Sequence, residues 1–324
     1  TINNSLKYSS VDYFSNLGFK SDFGLYFMNL NTTGKNHSVY KSSLQSQLMS
    51  IFEVRSEFPL IKQSEKFNER ITPLLSFRLN PGQMKKLAAR TVNVDNIFSI
   101  NRLGVSEAYE KGKSLTLGLN YRKDKYSNNI SDDSNNLDEI EKYFEIKLAG
   151  VLRDVEEDKI SASSTLNRKA SNLFGSITNK MSEKVQIDYN FAIDNDLTTF
   201  ENNSVNLKFS LNNIITEFNF NESNGEMGDS NVVSNKTLYK IDENNYFTFE
   251  TRRNRKISLT EYYDLVYEYK NDCLTAGVKY RKTYYSDRDA KPSEDLLLTL
   301  TLFPLVTLEQ NVEQDFYRNN DLFN

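Results

Sequence analysis

Three kinds of side chain in this sequence could carry chemistry: one thiol, one imidazole and three runs of carboxylates. Cys273 is the single cysteine in 324 residues. It lies in "YKNDCLTAGVKYRKTYYSDRD", where a polar triplet gives way to an alternating run. A thiol can serve as nucleophile, metal ligand, small buried hydrophobe or half of a disulfide, and one cysteine neither supports nor excludes an oxidising compartment. His37 is the single histidine and sits in a polar stretch, which argues against a Ser-His-Asp triad and against a multi-histidine metal site. The acidic runs at 131–133, 155–158 and 286–289 could bind divalent cations, but solvated loop charge is the plainer reading. No glycine-rich phosphate loop is present. The reading is therefore of a non-enzyme without a metal or cofactor.

The elements that must position these groups are strands. Period-2 alternation dominates. Leu115, Leu117, Leu119 and Tyr121 point one way, and Ser114, Thr116, Gly118 and Asn120 the other. Val185, Ile187, Tyr189, Phe191 and Ile193 alternate with Gln186, Asp188, Asn190 and Ala192 in the same manner. About fifteen strands are expected, at 1–9, 19–30, 37–54, 70–79, 112–122, 142–152, 172–179, 184–194, 204–211, 214–222, 236–242, 246–253, 257–269, 273–285 and 295–303. Residues 81–90 could form a turn or two of helix, and 136–148 reads as helix or strand.

Hydrophobic residues make up only 38% of the chain, and no run approaches 18 apolar residues, so no transmembrane helix is expected. A membrane barrel remains compatible with this, because only every second residue faces lipid. Many expected strands have the 8–11 residues that a tilted strand needs to cross a bilayer. From residue 172 onward short and long connections alternate, as in outer-membrane barrels with tight periplasmic turns and long outer loops. Asp188, Asn190, Lys208, Glu217, Asn219, Glu268, Lys279 and Arg281 fall on the polar faces. A dry core would make such charges costly, whereas a water-filled lumen solvates them. The solvent face of a soluble antiparallel sheet is the competing reading. With 40 basic and 44 acidic residues the chain has no field that favours nucleic acid. The odd strand tally and the absence of a leader at Thr1 read as the C-terminal part of a larger barrel.

Two stretches resemble the LPS-assembly outer-membrane protein family (LptD, also called OstA or Imp). In "NIFSINRLGVSEAYEKGKSLTLGLNY" the family pattern falls on Asn96, Asn101, Arg102, Gly104, Glu110, Gly112, Thr116, Gly118 and Tyr121. The Asp-Arg pair common after the first glycine is replaced by Ser106-Glu107. "LVYEYKNDCLTAGVKYRKTYYSDRDAKPSEDLLLTLTLFPL" is similar to the family's last three strands. The resemblance implies an all-β, antiparallel transmembrane β-barrel of about 26 strands, of which residues 1–303 are the C-terminal portion and 304–324 a polar periplasmic tail.

What the resemblance implies for function is insertion of lipopolysaccharide into the outer leaflet through a lateral gate. Implied partners are an LptE-type lipoprotein plug, an LptA-type periplasmic bridge reached through an N-terminal domain, and the barrel-assembly machinery. Leu297, Thr299, Thr301 and Phe303 face the lumen or seam on the gate strand, and Pro304, which cannot donate to a ladder, stops pairing after it. Asn101 and Arg102 pin the long 80–111 segment to the wall in the functional reading, and belong to an ordinary surface loop in the other. Cys273, at the "KND" turn, would be half of a long-range disulfide to the N-terminal region. A porin or receptor barrel for small solutes, and a soluble β-rich adhesin module, stay open as alternatives.

Overall fold

The computed structural model describes residues 2–35, 42–82, 84, 91–104, 109–126, 140–285, 292–302 and 306–308. These residues form eighteen β-strands and two short 3-10 turns. They divide into two compact units. The first takes its described residues from 1–182, 188–203 and 223–229, and the second from 183–187, 204–222 and 230–324.

The first unit contains β1 (Ile2–Ser9), β2 (Tyr13–Phe14), β3 (Lys20–Thr32), β4 (Gln45–Glu57), β5 (Leu60–Gln63), β6 (Phe67–Asn80), β7 (Gly112–Tyr126), β8 (Ile140–Arg153) and β9 (Leu173–Ser182). Its ladders are antiparallel throughout: β1 on β3, β3 on β4, β4 on β6, β6 on β7, β7 on β8 and β8 on β9. The two-residue β2 lies on β3, and β5 lies on β6. Of β10 (Val185–Ile193) and β11 (Phe200–Leu211), residues 188–193 and 200–203 belong to this unit.

Alternation sets the faces, since successive side chains on a strand point to opposite sides. Leu117 and Leu119 are exposed on the outer face, and Ser114 and Thr116 are buried on the inner one. The inner face is not uniformly polar. Met28 and Leu30 of β3, Met49 of β4, Ala149 and Val151 of β8 and Phe174 of β9 join Val92, Val94, Ile97 and Leu103 from the segment after β6 in one hydrophobic core. That segment folds back onto the sheet, so apolar inner-face residues are buried against it rather than wetted.

In the second unit β12 (Ile214–Ser223), β13 (Ser230–Lys240), β14 (Asn245–Asn254), β15 (Leu259–Lys270), β16 (Leu274–Thr283), β17 (Ser293–Leu302) and β18 (Val306–Leu308) follow in order. From β13 to β18 each strand pairs antiparallel with the next. Here the inner face is charged. Asp264 of β15 accepts from Arg281 Nε at 2.8 Å and from Arg281 Nη2 at 2.7 Å, and is paired with Lys279 at 3.0 Å, both on β16.

All fifteen expected strands are present, with shifted ends: the 37–54 strand runs Gln45–Glu57, and the 236–242 strand begins at Ser230. The helix reading of 136–148 is wrong where it is described, because β8 occupies the segment from Ile140 onward. The helical turn expected at 81–90 falls almost wholly outside the described residues. Three short strands were not anticipated: β2, β5 and β18. Pro73 explains β5. It has no N–H for the ladder, and β6 changes partner across it, from β5 along 68–71 to β4 along 74–79. The expected tail begins with a strand, since β18 turns back onto β17. Among the described residues no helix is long and apolar enough to cross a membrane.

Candidate functional site

The most constrained feature of the first unit is the attachment of the 80–111 segment to β6, β7 and β8. Arg102 is 1% exposed. Its guanidinium meets Glu110 through two hydrogen bonds, Nε to Oε2 and Nη2 to Oε1, each 2.6 Å. The same group donates to Thr116 Oγ1 at 2.8 Å, to Ser114 Oγ at 3.0 Å and to the Ile97 carbonyl at 3.4 Å. The two hydroxyls come from alternate residues of β7, so period 2 places both on the face that the arginine approaches. Arg153, at the end of β8, donates to Glu110 Oε1 and to the Lys111 carbonyl. Glu110 thus bridges two buried arginines. Burial pushes its carboxyl up, but Arg102, Arg153 and Arg78 outweigh burial and hold it at about 2 against an ordinary 4.5.

A second fixed point lies one strand further on. Ser76 Oγ and Arg78 Nε both donate to Glu53 Oε1 at 2.9 Å, and Arg78 Nη2 donates to the Phe98 carbonyl at 2.8 Å. Asn80 donates to the Glu110 carbonyl at 3.0 Å, while its own amide oxygen accepts from Gly82 N at 2.9 Å. Lys147 of β8 reaches Asp95 at 3.1 Å. Both ends and the middle of the described segment are therefore held on the wall by charged or amide groups.

The glycines of the motif serve this arrangement. Gly112 has φ +93, a backbone region that side chains rarely adopt, and a Cβ there would lie 3.0 Å from Arg153 Nη2. Gly118 leaves room for the Phe98 ring: a Cβ would lie 2.6 Å from its Cζ. Gly104 follows the turn closed by its N–H on the Asn101 carbonyl at 3.0 Å. Asn96 donates to the Thr91 carbonyl at 3.0 Å and accepts from Asn93 N at 3.0 Å, so its side chain shapes the segment locally.

The remaining expected site residues lie in the second unit. On β17 Thr299 and Thr301 are buried on the inner face, and Leu297 shares that side, while Leu296 and Leu298 are each 68% exposed on the other. Phe303 and Pro304 lie outside the described residues, as does His37 of the first unit. Cys273 is an exposed, unbridged thiol in the turn between β15 and β16, its N–H donating to Asn271 Oδ1 at 3.0 Å. The structure thus gathers Arg102, Glu110 and Gly112 into one cluster. Glu53, Arg78, Asn80 and Arg153 were not anticipated as members. Ser76 and Arg78 did leave a signal, polar residues at period 2 on one expected strand, with Asn80 continuing the period just past its expected end.

A model of the family described as LptD, LPS transport system D, matches residues 12–243, which contain every residue of this cluster. The chain belongs to the LptD family. Its place is therefore the outer membrane of a Gram-negative bacterium and its work is in lipopolysaccharide transport. LptD proteins are transport proteins. The match stops before β14, so it does not extend over β15, β16, β17 or Cys273. Among curated proteins there is no match.

Similar solved structures include a mutant porin of Rh. blastica at 10% identity, covering 87% of this chain and 89% of that one with a TM-score of 0.35. A mutant of the ferric enterobactin receptor PfeA from Pseudomonas aeruginosa is 8% identical and covers 92% of this chain and 53% of that one, TM-score 0.43. The siderophore receptor PirA from Acinetobacter baumannii is 6% identical and covers 92% and 55%, TM-score 0.39. Scores this low carry no argument about function, and the LptD assignment rests on the family match.

Proposed function

We propose that this chain supplies the part of an LptD barrel that places lipopolysaccharide in the outer leaflet through a lateral gate, with β17 as one lip. The observation that carries this reading is the two-faced character of β17, with Thr299 and Thr301 buried on one side and Leu296 and Leu298 exposed on the other. Along one edge β16 pairs with it from Thr283↔Ser293 to Leu274↔Leu302. Along the other, within the described residues of this unit, only β18 pairs, across Leu300–Leu302. The polar inner and leucine-rich outer sides of β17 suit a strand between a wet passage and lipid.

In this reading the clamped 80–111 segment narrows the inner side of the wall, a lipoprotein plug fills the rest, and a periplasmic bridge delivers the lipid. The barrel-assembly machinery inserts the strands. Cys273 lies at a short turn, on the side opposite the long loops, where a disulfide to the N-terminal region would orient that region on the barrel.

The test uses the full-length protein in cells. Thr299→Cys is paired with a cysteine in the first barrel strand and oxidised. Arrival of lipopolysaccharide at the cell surface is expected to stop and to resume on reduction. Export at the normal rate with the cross-link formed refutes the gate.

A further inference from the structure

The outer face of β7, β8 and β9 is not the plain leucine surface that alternation implies. Leu117 and Leu119 of β7, with Leu148 and Leu152 of β8, stand around Gly150, and a groove of about 440 Å³ opens over that glycine. A Cβ at Gly150 would meet nothing closer than the Asn172 carbonyl at 3.8 Å, so neither close backbone packing nor a left-handed φ demands the glycine. What glycine does here is leave the groove empty. Leu197 forms the far rim and is 64% exposed at φ 59, a conformation that a leucine rarely adopts. Its turn is held by Asp194, which accepts from Thr198 N at 2.7 Å and from Thr199 N at 3.2 Å.

The groove continues into a polar pocket of about 630 Å³ through Asn195, which lines both. One wall of that pocket carries Arg168, Lys169 and Asn167, and the other Glu156, Glu157 and Asp158. Arg168 is paired with Glu226 at 2.9 Å and Glu157 with Lys111 at 3.4 Å, while Lys169 is exposed. An apolar slot on a lipid-facing surface, joined to a pocket with both cations and sugar-compatible acceptors, fits one chemical class. Cations take phosphate. Carboxylates and amides take hydroxyls, so the pocket offers partners to sugars as well as to phosphate. Both volumes fall in the range of about 300–1,000 Å³ typical of ligand sites.

We propose that this face holds one molecule of lipopolysaccharide in the outer leaflet, an acyl chain lying over Gly150 and the phosphorylated sugars against Arg168, Lys169 and Asn195. The site is remote in sequence from the gate strand and would retain the lipid beside the barrel. It rests on the outward orientation of the long loops adopted under the proposed function.

The test uses the full-length protein in the outer membrane, with a photoreactive benzoylphenylalanine replacing Leu197 and a control probe replacing Val278 on β16. Irradiation is expected to give lipopolysaccharide adducts at 197. Gly150→Leu, which the backbone accommodates, is expected to lower them about tenfold while leaving adducts at 278 unchanged. Lys169→Glu is expected to lower them as well. Equal adducts at 197 with and without Gly150→Leu, or adducts of phospholipid instead, overturn the site. Mass-spectrometric labelling of Lys169 by an impermeant amine reagent on intact cells checks orientation separately. Labelling only after permeabilisation overturns the orientation and the site together, whereas labelling without lipopolysaccharide adducts overturns the site alone.

Discussion

Replacing Arg102 with methionine removes the cation from the most enclosed charge cluster of the first unit. The Arg102 side chain is 0% exposed and that of Glu110 6%. The change deletes two 2.6 Å hydrogen bonds to the carboxylate and strands the Ser114 and Thr116 hydroxyls on β7. Removing one partner of a buried pair costs about 3–5 kcal/mol, mostly because the other charge stays buried without it. Arg153 still meets Glu110, so the loss belongs at the lower end, about 3 kcal/mol. The readouts are the urea midpoint of the detergent-solubilised protein, followed by its heat-modifiable gel mobility, and trypsin cleavage at Lys111 and Lys113 as the clamp releases. A double-mutant cycle with Glu110→Leu should return a coupling of about 1–3 kcal/mol, since the two residues touch. An unchanged midpoint together with unchanged cleavage would show that the clamp does not hold the segment and would sink the argument.

Three further outcomes follow from the same geometry. Glu110 is held at about 2 when folded against 4.5 ordinarily, so the unfolded chain binds the proton more readily and stability is lost as pH falls from 4.5 toward 2. That drop is worth about 3 kcal/mol, and in acid titrations of the urea midpoint Glu110→Gln should lose this pH dependence while wild type keeps it. Gly118→Val drives a side chain into the Phe98 ring and should lower stability by about 1–3 kcal/mol; the companion change Phe98→Ala should relieve part of that loss, and no relief would show that the ring is not the obstacle. In the mature full-length protein Cys273 should resist maleimide until reductant is added, and immediate labelling would rule out the disulfide.

The division between what was legible and what was not runs along sequence distance. Side-chain alternation is a property of a single strand, so the lipid-facing leucines 117, 119, 296 and 298 and the inward Thr116, Thr299 and Asp264 could be assigned from the chain alone. Arg102 and Glu110 are legible because both fall within one stretch that resembles the family's motif, 8 residues apart. The pairs that complete the site span longer stretches: Arg78 to Glu53 across 25 residues and Arg153 to Glu110 across 43. No local pattern encodes such a pairing, because it depends on the register of β4 on β6 and of β7 on β8, and a slip of one residue would turn each group to the opposite face.

The sequence by itself determined the class of element, the two faces of each strand, and the family. The tertiary structure decided where the inner face is dry. Met28, Leu30, Met49 and Ile97 read as scattered apolar residues until the segment after β6 folds onto the sheet and closes them into one core. It also decided that Gly150 opens a groove instead of admitting a close neighbour, because the space over a glycine is closed or left open by side chains of β7, β9 and the 194–199 turn as well as by those of its own strand.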